Sequence, residues 1–132
     1  MNIKITGSGS SIPHQIQPNL SFSNNSFYDA EGTPISNPNE EIIEKFKAIT
    51  GISERRYAED HLTASDLGAL AAEKAITDAG IDPETLDYII LAHNFGDVKS
   101  GSIQSDILPC LAARVKNSLK IKNPKCVAYD IL

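Results

Sequence analysis

The chain has 132 residues, of which 41% are hydrophobic and 22% charged, as in a globular domain of ordinary size. The formal net charge of −5 disfavours nucleic acid as a partner, because binding a phosphate backbone requires clustered Lys and Arg. The sequence has no long apolar run and no signal-peptide pattern, so we expect a cytoplasmic protein that does not enter a membrane. Cys110 and Cys126 lie in apolar segments without close spacing, which favours reduced thiols over a disulfide or a metal site.

The first segment predicts a strand at Asn2 to Thr6, where Ile3 and Ile5 alternate with polar residues. Gly7-Ser8-Gly9 is predicted to end this strand with flexible backbone. The stretch from Ile12 to Asn37 is rich in Asn, Ser and Pro, and we expect a surface insertion loop there, held down by a few aromatic side chains.

Two helices are predicted next. The first covers Asn39 to Thr50, with Asn37 as its cap, Pro38 at its first position and Gly51 at its end. The second follows the capping-box pattern Thr63-Ala64-Ser65-Asp66 and stops at Gly80.

The rest of the chain predicts a strand, a helix and a further strand. Tyr88 to Ala92 is a continuous apolar run, typical of a strand buried on both faces. A third helical region is predicted from Ile103 to Leu119, kinked or restarted at Pro109, with Leu111, Ala112, Val115 and Leu119 facing inward. Lys125 to Leu132 is the predicted last strand. The predicted class is therefore α/β, with a βαβαβ core, a mixed sheet and packed helices.

Several segments, in this order, resemble the β-ketoacyl-acyl-carrier-protein synthase III family of thiolase-fold condensing enzymes. They are Ile5-Thr6-Gly7-Ser8-Gly9 with Pro13, Thr50-Gly51-Ile52-Ser53-Glu54-Arg55, Thr63-Ala64-Ser65-Asp66-Leu67, Ala79-Gly80-Ile81-Asp82-Pro83, the strand Asp87 to Ala92, Pro109-Cys110-Leu111 and Ala128-Tyr129-Asp130. The resemblance covers nearly the whole chain apart from Ile12 to Asn37. It implies that residues 1–132 form the N-terminal part of a thiolase-like domain, truncated before the nucleophile.

The resemblance also implies an activity. Enzymes of this family take an acyl group onto a cysteine and condense it with a malonyl thioester, in fatty-acid or related biosynthesis, with His and Asn stabilising the enolate. None of these three catalytic positions is expected in this chain, so the fragment should be inactive alone. The implied partners are acyl-carrier protein or acyl-coenzyme A thioesters and a second subunit in a homodimer, and no cofactor is implied.

One helix departs from the family pattern. Many relatives that use acetyl-coenzyme A carry Trp and Arg in the helix before the Thr-Gly-Ile motif, where this chain has Lys45 and Ile49. This difference leaves room for a carrier-protein donor or a specialised acyl chain. If the chain is a fragment, we also expect an exposed apolar surface where the remaining part packs.

The candidate site residues are His93, Asn94, Phe95, Gly96 and Asp97, which follow a predicted strand. Ligands collect at the carboxyl ends of strands in open α/β sheets. By resemblance, this loop reaches the acyl pocket or the dimer interface. The plainer interpretation of His93 and Asn94 is hydrogen bonding within the loop or a dimer contact.

Other conspicuous residues are assigned structural roles. Cys110 is interpreted as part of a helix's apolar face and Cys126 as a buried strand residue, because burial lowers thiol reactivity. His14, His61 and His93 lack the spacing of a zinc motif. Gly7-Ser8-Gly9-Ser10-Ser11 lacks the rest of a phosphate loop, and Glu59-Asp60 is interpreted as a solvated patch.

Two functions of other classes stay open. The chain could be a non-catalytic α/β binding or interaction module, which a natural stop after Leu132 would favour over an open frame leading to a Cys-bearing turn. A nucleotide-binding domain ranks last, because no motif predicts phosphate affinity.

Overall fold

The computed structural model describes residues 2–132, which form two compact units. The smaller unit is Pro13–Ala58, and the larger unit joins the chain up to Ile12 with Glu59–Leu132. In chain order the elements are β1 (Gln15–Pro18), α1 (Asn39–Thr50), β2 (Glu54–Tyr57), α2 (Ala64–Ala79), β3 (Tyr88–Ala92), β4 (Asp97–Val98), β5 (Ser105–Asp106), α3 (Leu111–Ser118) and β6 (Val127–Ile131). Short 3-10 turns occur at Asn19–Phe22 and Pro83–Thr85.

The larger unit is built on a parallel β3–α3–β6 crossover. β3 and β6 pair in register from Tyr88 opposite Val127 to Ala92 opposite Ile131. α3 contributes the most deeply buried side chains, Leu111 and Val115, and packs against α2 and both strands. This arrangement confirms the predicted α/β crossover, because parallel neighbours need a long connection between them.

The smaller unit is an antiparallel β1–β2 pair with α1. β1 lies inside the predicted insertion loop and pairs with β2, from Gln15 opposite Tyr57 to Pro18 opposite Glu54. The segment therefore holds regular structure as well as loop. Arg55 of β2 anchors it, since its guanidinium lies 5.1 Å from the ring centre of Phe22 and donates to Asn19 Oδ1 over 2.9 Å.

The predicted bounds of α1 are correct, but its cap is not. Pro38 is the N-cap and accepts from the Glu41 amide, whereas the Asn37 side chain donates to the Glu41 carboxylate. At the other end Gly51 has a φ of 69° and its amide donates to Lys47. This left-handed conformation at the end of a helix is the one that glycine adopts at low cost.

α2 forms as predicted. The Asp66 carboxylate accepts from the Thr63 amide over 2.9 Å and from the Thr63 hydroxyl over 2.7 Å, which joins the two ends of the capping box. The helix ends at Gly80, whose φ is 63°. Both signals are local in sequence, so they could be recognised before the structure was known.

The prediction of a strand at Asn2 to Thr6 is wrong for the described chain. Ile3 and Ile5 are 84% and 86% exposed, and no strand of the described residues pairs with them. A strand forms only with a hydrogen-bonded neighbour, which the alternation of residues alone cannot supply. Gly7 and Gly9 serve close packing: a Cβ on them would lie 2.5 Å from Ala75 O and 2.3 Å from Ala71 O of α2.

The predicted third helix is too long. The helix begins only at Leu111, and the residues before it form β5 and a cis peptide bond at Leu108-Pro109. Residues before a proline are disfavoured in the helical conformation, which explains a restart but not the paired strands β4 and β5. The predicted inward face is otherwise correct, with Leu111, Ala112 and Val115 buried and Leu119 half-buried.

The β3–β6 pair has one covered and one open face. Tyr88, Ile90, Val127, Tyr129 and Ile131 are 41% to 63% exposed, although β3 was predicted to be buried on both faces. The rings of Tyr88 and Tyr129 lie 6.5 Å apart, edge to face. The strand is confirmed, and the open face is an exposed apolar surface of the expected kind.

Candidate functional site at the carboxyl ends of the strands

The candidate residues lie where β3 and β6 end. His93 to Gly96 connect β3 to β4, and Asp97 is the first residue of β4. The N-terminus of α3 and Asp130 of β6 meet this loop, so two carboxylates come to the same edge of the larger unit. Open α/β sheets bind ligands at this edge.

Asp130 links β6, α3 and His93. Its Oδ2 accepts from the Leu111 amide over 2.7 Å and lies 3.0 Å from His93 Nε2, and its Oδ1 accepts from the Ala112 amide over 2.7 Å. The side chains of His93 and Asp130 are only 7% and 12% exposed. A carboxylate at a helix N-terminus is favourable because amides there have no partner within the helix.

The pKa of Asp130 lies below its ordinary value. Desolvation in this partly buried position raises the pKa. Hydrogen bonds from the Ala112 amide, His93 and the Leu111 amide to the charged form lower it, and together they outweigh the desolvation. Asp130 is therefore a carboxylate at neutral pH and not a proton donor. Its role in this geometry is to hold β6, α3 and His93 together.

His93 fixes the turn that follows β3. Its Nδ1 accepts a hydrogen bond from the Gly96 amide over 2.9 Å, so Nδ1 carries no proton and the proton of the neutral ring is on Nε2, facing Asp130. The predicted plain interpretation of His93, hydrogen bonding within the loop, is confirmed.

Asp97 forms a second cluster with residues of both helices. Its carboxylate accepts from the Ser65 amide over 2.8 Å, from the Ser65 hydroxyl over 2.6 Å and from Arg114 over 3.0 Å. Asp97 is 3% exposed. It therefore supplies a negative charge to the N-terminus of α2, as Asp130 does for α3.

Arg114 extends this cluster to β5. Its guanidinium donates to Asp106 over 2.7 Å and to Pro109 O over 2.9 Å, in addition to Asp97. The hydrogen bond to Asp106 is the main cause that raises the pKa of Arg114, and the same bond lowers the pKa of Asp106. This geometry uses the planar fork of arginine, which a lysine cannot reproduce.

Phe95 and Gly96 have opposite surroundings. Phe95 is 75% exposed and its carbonyl accepts from the Ser105 hydroxyl. Gly96 is buried with a φ of 75°, and a Cβ there would lie 2.5 Å from Ile107 Cγ2 and 2.8 Å from Asp106 O. Asn94 is exposed and does not join either cluster.

A cavity of about 230 Å³ adjoins Asp97 and is lined by Thr63, Lys99, Ser102, Gln104, Asp106 and Arg114.

Cys110 lies near this edge, whereas Cys126 lies at the opposite end of β6. Cys110 is the N-cap of α3, not part of its apolar face, and its half-buried thiol points to Ala128 O at 3.7 Å. Cys126 is 3% exposed and precedes β6, where it was predicted inside the strand. Asp130 already occupies the amides at the start of α3 that would otherwise favour a Cys110 thiolate.

Sequence reasoning missed several members of the two clusters. Ser65 and Asp130 were noted only as parts of motifs, and Arg114 and Asp106 were not singled out. The side-chain partners are 17 residues apart for Arg114 and Asp97, and 32 for Ser65 and Asp97. An arginine in an otherwise apolar helix face was the available signal, because such a residue needs a partner.

The remaining conspicuous residues lie elsewhere. His14 and His61 are exposed, and Asp60 accepts from the Ser100 hydroxyl over 3.0 Å. Lys45 and Ile49 of α1 are both exposed, Ile49 to 73%.

Within residues 2–132 no three His, Cys, Asp or Glu side chains come together as metal ligands would. Among residues 2–132, every helix is too short or too polar to span a lipid bilayer.

The chain is similar in sequence to curated proteins. No protein-family model matches the chain. It is 37% identical over 131 residues to β-ketoacyl-acyl-carrier-protein synthase III 1 of Vibrio vulnificus, a match that covers 99% of this chain and 34% of that protein. It is 41% identical over 98 residues to the synthase III of Staphylococcus aureus, covering 74% of this chain and 27% of that protein. The chain thus spans about a third of the relatives it matches.

Solved structures share the fold. A 3-oxoacyl-(acyl-carrier protein) synthase of Burkholderia xenovorans matches with a TM-score of 0.71 at 22% identity, covering 95% of this chain and 30% of that one. The synthase III of Thermus thermophilus matches with a TM-score of 0.67 at 26% identity, covering 98% and 33%. The chain is therefore a relative of the β-ketoacyl-acyl-carrier-protein synthase III family of thiolase-fold condensing enzymes and corresponds to about a third of such a protein.

Proposed function

We propose that the protein containing this chain is a 3-oxoacyl-acyl-carrier-protein synthase III-like acyltransferase. It would condense an acyl thioester with a malonyl thioester, with loss of carbon dioxide, in fatty-acid or related acyl-chain biosynthesis. The observation that carries the proposal is the 37% identity to a synthase III along 131 residues. A relationship of this length includes the segments that build α2, β3, α3 and β6.

In this proposal the chain supplies structure and not the nucleophile. Cys126 is too buried to reach a thioester, and Cys110 has its sulfur turned to a backbone carbonyl and an aspartate at the helix amides. A thiolate is favoured by neighbouring positive charge or free helix amides. The first two amides of α3 beside Cys110 are taken by Asp130, and the Lys116 ammonium near Cys126 is bonded to the Cys126 carbonyl. The reactive Cys, His and Asn are accordingly assigned to the part of the protein outside these 132 residues.

The loop His93 to Asp97 is proposed to line the acyl pocket or the dimer interface. Phe95 is the residue of this loop that offers a large apolar surface, since its side chain is 75% exposed. His93, Gly96 and Asp97 would hold it in place through the two clusters. Asn94, which is exposed beside Phe95, would share its surroundings.

The proposed partners follow the same chemistry. They are acyl-carrier protein or acyl-coenzyme A as donors and a second subunit as the homodimeric partner, with no nucleic acid. The net charge of −5 supports the exclusion of nucleic acid. A cytoplasmic location is proposed because both cysteines are free, as is usual in a reducing compartment.

A thiol-acylation experiment tests the proposal. The full gene product is mixed with acetyl-coenzyme A, a longer acyl-coenzyme A or acyl-carrier protein, and the adduct is located by intact mass and peptide mapping. We expect one acyl group on a cysteine outside these 132 residues, retained in C110A. The donor that gives the fastest adduct shows what the surface with Lys45 and Ile49 accepts.

Two outcomes would count against this function. An adduct on Cys110 or Cys126 would place the nucleophile in this chain, and no adduct with any donor would favour a non-catalytic binding module. Decarboxylation of malonyl-carrier protein by the same preparation provides a second readout, because it does not require the acyl donor.

A further inference from the structure

We infer that the protonation state of His93 controls how tightly the loop His93 to Asp97 is held. The switch consists of one ring with two different partners. Nδ1 accepts from the Gly96 amide over 2.9 Å, and Nε2 faces Asp130 Oδ2 at 3.0 Å. The inference goes beyond the proposed function, since it concerns the conformation of the loop and stands whether or not the protein condenses acyl groups.

The chemistry of the ring decides the direction. A neutral imidazole has one donor and one acceptor nitrogen and satisfies both partners at once. A second proton can be added only at Nδ1, where it would face the Gly96 N–H, so two donors would meet and that bond would break. The contact with Asp130 would persist, because a charged ring still donates from Nε2 to the carboxylate. Protonation therefore releases the turn and leaves the ring anchored.

The hydrogen bond that protonation breaks belongs to Gly96, whose backbone is closely packed on its other sides. Gly96 is buried, has a φ of 75° and lies against Ile107 and the carbonyl of Asp106. Its neighbour Phe95 is 75% exposed and is held by its carbonyl, which accepts from Ser105. When the Gly96 amide loses its partner, the exposed Phe95 loses one of the two bonds that position its backbone.

The charged groups around the ring are few. Asp130 of β6 favours the charged ring, whereas the amide of Gly96 and the positive end of α3 oppose it. Arg114 of α3 is paired with Asp97 of β4 and Asp106 of β5. The Cys110 thiol at the start of α3 is turned to Ala128 O.

Amide hydrogen exchange at Gly96 tests the inference. The protein is studied by exchange with single-residue fragmentation from about pH 8 to pH 5, and each rate is divided by the chemical exchange rate at that pH. We expect the protection of Gly96 to fall about fivefold or more on acidification, in proportion to the loss of one hydrogen bond. Amides of β3 and β6 should keep their protection.

Two substitutions separate the two nitrogens. In H93N the side-chain oxygen takes the place of Nδ1, so Gly96 should stay protected at every pH. In H93Q the amide reaches only the position of Nε2, so Gly96 should be unprotected at every pH. H61N is the matched control, because His61 is exposed, and it should keep the pH dependence of the unchanged protein.

The inference is overturned if the corrected protection of Gly96 is the same at pH 8 and pH 5, or if H93N retains the wild-type pH dependence. The wild-type and H61N measurements decide it even if both His93 variants fail to fold. Activity is not used as a readout, so failure of the proposed acyl transfer would leave this result unaffected.

Discussion

Asp97 and Asp130 each accept hydrogen bonds from amides at the start of one helix of the larger unit, but they have different charged partners. Asp97 serves the amide and hydroxyl of Ser65 near the start of α2 and pairs with Arg114, which keeps its charge at all ordinary pH values. Asp130 serves the first two amides of α3 and pairs with His93, whose charge can change. Both helix starts therefore keep their carboxylate, and the difference lies in the partner: a permanently charged guanidinium beside Asp97 and an imidazole beside Asp130.

The difference extends to the loop between the two clusters. At the end of the loop, Asp97 is paired with the permanently charged Arg114. At its start, the neutral ring of His93 accepts a hydrogen bond from the Gly96 amide. The exposed Phe95 lies between these ends. Protonation of His93 would therefore loosen the loop at its start and leave the hydrogen bonds of Asp97 unchanged.

The largest effect is expected for D97N. The amide keeps one acceptor oxygen but presents a donor to the Ser65 hydroxyl or to Arg114, in a position that is 3% exposed. We expect the free energy of unfolding to fall by about 3 kcal/mol, measured by urea denaturation. D106N is the control and should cost much less, because that carboxylate is half-exposed. Equal losses would show that Asp97 is not the anchor of its cluster.

An intermediate effect is expected for G96A, which tests the link between the clusters. Gly96 and Gly101 share a φ of 75°, but a Cβ on Gly96 would meet Ile107 and Asp106, and one on Gly101 would meet nothing within 4 Å. We expect G96A to lower the free energy of unfolding by about 2 kcal/mol and G101A by about 1 kcal/mol. The difference, measured by thermal denaturation at constant pH, is the contribution of close packing. No difference would mean that the loop moves away without cost.

The smallest effect is expected for D130N and depends on pH. Because the folded state lowers the pKa of Asp130, its stabilisation is present above the unfolded value of about 3.9 and is lost as pH falls through the lower folded value. At pH 7 we expect D130N to lower the free energy of unfolding by about 1.5 kcal/mol. Unfolding measured from pH 7 to pH 2 should show the two proteins converging in acid. Parallel curves would contradict the assignment.

The predicted helices and strands were most accurate where the signals are local. α1 and α2 were bounded by glycines in left-handed conformations and, for α2, by a capping box within four residues. β3 was marked by its apolar run. The strand at Asn2 to Thr6 failed because alternation says nothing about a pairing partner. The helix predicted from Ile103 failed over its first half, where β5 pairs with the earlier strand β4 instead.

The candidate site was found only in part. Position after a strand drew attention to His93 and Asp97, which the structure does place in hydrogen-bonded clusters. It also drew attention to Asn94, which joins neither cluster. Arg114 and Ser65 were missed because their contacts with Asp97 depend on how α3 and α2 pack beside β4.

The sequence by itself determined the α/β class, the ends of α1 and α2, the strands β3 and β6, and a relationship to condensing enzymes. These features depend on side chains within a few residues of each other or on ordered motifs along the chain. Only the tertiary structure decided which carboxylate serves which helix, which nitrogen of His93 carries the proton, and which face of β3 and β6 stays open. These depend on residues up to 37 positions apart, and no local pattern specifies such distances.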